Sequence, residues 1–150
     1  TLALLDDEVI FSMLEVDGIL YAATVDGLIS VDLMTGTHKE EYFGGMSSDW
    51  AYTRSLFLDS LGALWVGTHG GLAQVNRKTG EVRRFEHHAL DLDSISRGSI
   101  HALKEDKSGV LWIGTDENGG RSKHRIHGIS DNCVRTIDDR SDASGFCRPR

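Results

Sequence analysis

Residues 58–72 read L-D-S-L-G-A-L-W-V-G-T-H-G-G-L, and two other segments repeat the central pattern: D-G-I-L-Y-A-A-T from Asp17 to Thr24 and S-G-V-L-W-I-G-T from Ser108 to Thr115. The glycines Gly18, Gly62 and Gly109 lie 44 and 47 residues apart, and Tyr21, Trp65 and Trp112 keep that spacing, as do Thr24, Thr68 and Thr115. Downstream, D-G-L-I-S-V-D-L-M-T-G (26–36) overlays G-G-L-A-Q-V-N-R-K-T-G (70–80) without a gap. Upstream, S-L-F-L-D (55–59) matches A-L-K-E-D (102–106), each acidic residue standing three before the glycine. A period in the mid-forties that holds several short apolar runs is the signature of a four-stranded propeller blade.

Each run of the central repeat has a reason to be a strand. Arg54–Asp59 is apolar-rich and stops at D-S-L-G, residues that favour a tight turn. Ala63–Thr68 alternates Leu64 and Val66 with Trp65 and Gly67, and Gly70-Gly71 turns the chain into Leu72–Asn76. After K-T-G (78–80), Glu81–Glu86 alternates as a more polar outer strand. The polar stretches 87–98 and 44–49 are the crossings between blades. The expected fold is all-β: a β-propeller fragment of four-stranded antiparallel blades, about two and a half of them, over 8–50, 51–98 and an incomplete 99–120.

Composition agrees. Seventeen glycines against one proline suit short strands and tight turns rather than helices or a disordered linker. A net charge of −7 disfavours nucleic acid as a partner, since that binding draws on a basic surface. No apolar run approaches the roughly 18 residues of a membrane span, so no membrane contact is expected within these residues. No signal peptide is visible, and Cys133 and Cys147, both near the end, fit neither a disulfide framework nor a zinc site.

The pattern of an acidic turn, then G-x-L-W-I/V-G-T, then G-G, then T-G, resembles the two-component regulator propeller repeat. Residues 58–72 and 105–120 match closely and 16–28 more weakly, so the resemblance covers residues 10–120. It implies a periplasmic or extracytoplasmic ligand-sensing propeller feeding a kinase or cyclase output, with no such output module here. After Gly120 the pattern stops. Residues 121–150 hold seven Lys or Arg against four Asp, a net +3 where residues 1–120 carry −10. They are expected to form an atypical, disordered tail outside the partial propeller of 1–120.

Trp65 and Trp112 stand at one repeat position and are expected to be wedged between blades, which cannot bury their faces alone. Trp50 lies outside the repeat motif and is the candidate for stacking on a ligand. Asp59 and Asp106 offer too few oxygens for a calcium loop and read as caps of their own turns. The seven histidines show no ligand spacing, and no nucleophile elbow or phosphate-binding loop is present, so neither metal, cofactor nor catalysis is expected. If the strand ending in the Asp turn is innermost, Arg54 and His101 occupy equivalent channel-lining positions, with Ile10 in the first blade. They are the candidates for binding an anionic, small-molecule or oligosaccharide ligand. The alternatives are a propeller glycosidase or lyase with its catalytic residues elsewhere, or a protein-interaction propeller. Closing the ring calls for further blades or self-association, since a propeller needs at least four.

Overall fold

The computed structural model describes residues 9–41, 43, 49–90, 94, 95 and 97–116, together with the backbone alone of 125–130 and 133–137. Every regular element among them is a strand. The first sheet is β1 (Ile10–Val16), β2 (Ile19–Thr24), β3 (Gly27–Asp32) and β4 (His38–Glu41). The second is β5 (Thr53–Leu58), β6 (Leu64–Thr68), β7 (Leu72–Val75) and β8 (Val82–Phe85). The third is β9 (Ser99–Glu105), β10 (Leu111–Asp116), β11 (Arg125–Ser130) and β12 (Cys133–Ile137). Each is an antiparallel meander in chain order, and β5 packs between β1 and β9. The innermost strands therefore stand side by side, which is propeller geometry.

The third sheet corrects the reading of the tail. Arg125–Ser130 and Cys133–Ile137 pair in register with β10 and with each other, so two segments expected to be disordered supply the outer strands of a blade. Ladder hydrogen bonds join backbone groups, which any non-proline residue offers, so a foreign side-chain composition does not forbid pairing. Residues 121–124, 131, 132 and 138–150, with Cys147, lie outside the described residues.

Two apolar clusters fill the spaces between blades. Leu28 and Phe43 of the first meet Leu64, Val66 and Ala73 of the second around Trp50 of the connection between them, with Leu14 and Tyr21 at the margin. Trp65 and Leu72 of the second meet Ile95, Ile100, Leu111 and Ile113. Trp65 thus serves as an inter-blade wedge and Tyr21 borders the other cluster, whereas Trp112 is half-buried and in neither.

The Asp turns are self-capped. Asp59 Oδ1 accepts from the N–H groups of Leu61 and Ala63 at 3.0 and 2.8 Å, while Oδ2 accepts from Trp65 Nε1 at 2.8 Å. Asp106 does the same for Ser108, Val110 and Trp112. The bond from Trp112, then those from the two backbone N–H groups, holds the Asp106 carboxyl below its ordinary pKa. The first blade departs from this design. Asp17 and Gly18, with φ of 53° and 79°, make a two-residue turn of the type that needs positive φ at both centres. Glu15 Oε1 accepts from Gly18 N at 2.8 Å in place of the aspartate.

That shorter turn moves the register. Glu15 faces Leu20 across four intervening residues, whereas Leu58 faces Leu64 across five. Equivalence along the inner strand therefore slips by one, and the partner of Arg54 and His101 in the first blade is Phe11 rather than Ile10.

Candidate functional site

All three inner strands are interrupted at one place. The register shifts between Ile10 and Ser12 in β1, between Thr53 and Ser55 in β5, and opposite Gly114–Thr115 in β9. The extra residues are Phe11, Arg54 and His101. A bulge leaves one residue out of the ladder and re-aims its side chain, so each blade presents one side chain at the same height of the channel. Spacing alone selected Arg54 and His101. The bulge explains why they are the pair that meets.

They meet directly. Arg54 Nε donates to His101 Nδ1 at 3.2 Å, and His101 Nε2 lies 2.6 Å from Asp116 Oδ2. With Nδ1 accepting from Arg54, Nε2 is the nitrogen that faces the carboxylate, so Asp116, His101 and Arg54 form one hydrogen-bonded chain. Arg54 also lies over the Phe11 ring, its Cζ 4.5 Å from the centroid. Every member of the inner-strand triplet therefore touches another.

A second set comes from the residue after each repeat threonine: Val25, His69 and Asp116. The threonines anchor these turns, since Thr24 and Thr68 donate from Oγ1 to the carbonyls of Gly27 and Gly71 at 2.9 Å. His69 stacks on Tyr52 with ring centroids 3.8 Å apart, and Tyr52 in turn lies 5.3 Å from Phe11. Burial, and then the positive charge of Arg54, hold the His69 imidazole below its ordinary pKa of 6.5; Asp49 and Asp116 oppose this. Sequence reasoning missed Phe11, Tyr52, His69 and Asp116. Only Asp116 and His69 carried a signal, as polar residues after the repeat threonine.

Together Asp49, Arg54, His69, Arg97, His101 and Asp116 line an open cavity of about 470 Å³ at the channel mouth. A larger groove of about 670 Å³ lies at the opposite end of the strands, around the turns that carry Asp17, Leu61 and Lys78. The bulged Arg54 and His101 line the smaller one. In the larger groove Arg77 and Asp17 neutralise each other at 2.6 Å, and hydrogen bonding to Asp17 raises the Arg77 pKa.

Trp50 is corrected. It is 8 % exposed, in the core between the first and second blades. A Cβ on Gly70 would lie 2.6 Å from its Cδ1, so the Gly70-Gly71 turn sits directly on the indole, and Arg84 Cζ lies 5.3 Å from the ring centroid. So buried an indole is a core residue rather than a stacking platform. The diglycine that read as a turn device is also the space that the indole fills.

The depressed pKa of His69 has a consequence for stability. The folded state binds this proton more weakly than the unfolded chain does. The associated stability is full above the ordinary histidine value and is lost as pH falls from there through the lower folded value. Melting temperature should therefore drop more steeply between about pH 7.5 and 5.5 in the native protein than in His69→Phe, which keeps the stack on Tyr52. Equal slopes in the two proteins would show that His69 carries no such linkage.

Residues 94–117 match the family described as the two component regulator propeller. The fold matches the extracellular domain of a protein described as a hybrid two component system of B. thetaiotaomicron, at a TM-score of 0.63 and 26 % identity. That match covers 91 % of this chain but 16 % of the other. A second such domain from B. thetaiotaomicron matches at 0.59 and 18 % identity over 93 % of this chain and 23 % of its own. Virginiamycin B lyase of Staphylococcus aureus matches at 0.52 and 13 % identity, over 93 % of this chain and 56 % of its own, a likeness of fold alone. No curated protein sequence matches the chain.

Proposed function

We propose, from the premise that this chain carries a two component regulator propeller repeat, that it forms three blades of an extracytoplasmic ligand-sensing propeller in a bacterial signal-transduction protein. The observation that carries the reading is the convergence of Phe11, Arg54 and His101. Three bulges at one repeat position take these side chains out of the ladder and bring them together, with Arg54 and His101 lining a cavity of small-molecule size. The likeness to extracellular domains of two component systems supports the compartment and the signalling role. The blades themselves bind rather than catalyse, and ligand occupancy biases an output module. Further blades, or further copies, complete the ring, since three blades do not close one.

The test is the output of the full-length protein in its own cells, read from a reporter of the genes it controls. Arg54→Ala and His101→Ala should each lower the ligand-induced response by about tenfold or more at a fixed subsaturating dose, with protein levels unchanged. An undiminished response in both would remove the channel mouth as the sensing site.

A further inference from the structure

Resting on the channel-mouth reading, we infer that the mouth is an oxyanion site: Arg54 receives the carboxylate of an acidic small molecule, Arg97 stands beside it, and His101 and Asp116 are positioning residues. Arg54 is held at two points. Its Nε is committed to His101 and its face to Phe11, while its two terminal nitrogens have no hydrogen-bond partner among the described residues. The guanidinium is thus fixed in position with its carboxylate-binding fork open toward the cavity.

The arrangement of the acid is as telling. A structural arginine is ordinarily satisfied by direct contact with a carboxylate. Here Asp116 reaches Arg54 only through the imidazole, its Oδ2 being taken by His101 Nε2. The imidazole works as a spacer that orients Arg54 without cancelling its charge at contact distance. Arg97, lining the same cavity, adds a second cation. Asp49 and Ser99 line it too and suit hydroxyl donors on the same ligand. A ligand bearing one carboxylate and several hydroxyls meets each of these groups with its complement, whereas a neutral ligand leaves both arginines unanswered.

The experiment is calorimetric titration of the full-length protein with matched pairs, glucuronate against glucose and benzoate against benzyl alcohol, with inorganic sulfate as a competitor. At least one acid should bind about tenfold or more tightly than its neutral partner. Arg54→Gln should erase that difference, and Arg54→Lys should restore only part of it, because an ammonium is a point charge without the fork. His101→Ala should weaken the acid by about tenfold, while His101→Gln, which can still offer an acceptor to Arg54 Nε, should recover most of the affinity. Circular dichroism of each variant checks that the fold is kept. Competition by sulfate widens the site to oxyanions in general, and failure to compete restricts it to carboxylates; both support the inference. Binding of a neutral partner as tight as its acid, lost in Arg54→Gln, would overturn the anion assignment and leave the channel-mouth reading standing. No binding by either acid, or acid binding indifferent to Arg54→Gln, would overturn the inference outright.

Discussion

Replacing Gly67 by alanine is expected to destabilise the protein by about 2–3 kcal/mol, the range of an overpacked core, while the same change at Gly114 should be neutral within about 0.5 kcal/mol. The two glycines hold one repeat position, each two residues after the tryptophan. Their surroundings differ. A Cβ on Gly67 would lie 2.8 Å from both the Ile100 carbonyl oxygen and Ile100 Cγ2, and closer still to Ser55 Oγ. Ser55 Oγ is itself donating to that carbonyl at 2.9 Å, one of the bonds that tie the second blade to the third. An added methyl therefore breaks the bond or pushes the third blade away, and backbone cannot yield as a flexible side chain would. On Gly114 the nearest atom would be Ala102 Cβ at 3.5 Å, an ordinary contact. In the first blade the position is already alanine, the fully buried Ala23. Equilibrium unfolding of the two variants decides it, and equal effects would mean that the blade contact is not where the account puts it.

Trp65→Ala should cost about 4 kcal/mol, at the upper end for loss of a large buried side chain, and Trp112→Ala about half of that. Trp65 is 5 % exposed and central to the cluster between the second and third blades, against Leu72, Ile95, Ile100, Leu111 and Ile113. Its ring also packs on Phe85, with centroids 5.6 Å apart. Trp112 is only half-buried. Both give their indole N–H to the preceding turn aspartate at 2.8 Å, so that bond is common to the two and the difference isolates the wedge. Chemical denaturation should show the larger shift for Trp65; a larger shift for Trp112 would contradict the packing.

Much of this was legible because a repeat is read by comparison with itself. The period, the four-stranded blades, the Trp65 wedge and the aspartate caps all follow from residues that recur, and each recurs for a local reason that the turn or the pleat supplies. Arg54 and His101 were reachable in the same way, by equivalence. What escaped was whatever depended on a count within a turn or on contacts between turns. The first blade's Asp17-Gly18 turn is one residue shorter in its pairing, which replaces Ile10 by Phe11 and hides the aromatic under Arg54. Trp50 read as a ligand platform because nothing in the linear order shows that Gly70 and Gly71 lie on its ring. The strands after Gly120 were invisible because their side chains leave the repeat pattern while their backbones keep the ladder.

The channel-mouth claim is tested most directly by the ligand-induced output of the full-length protein when Arg54→Ala is set beside Arg77→Ala. Both remove an arginine, one from the bulge at the mouth and the other from the turn at the opposite end, where it pairs with Asp17. The account predicts a response reduced about tenfold or more by Arg54→Ala and left intact by Arg77→Ala. Loss of response on removing Arg77, with Arg54→Ala responding as the native protein does, would place the site at the other end and contradict it.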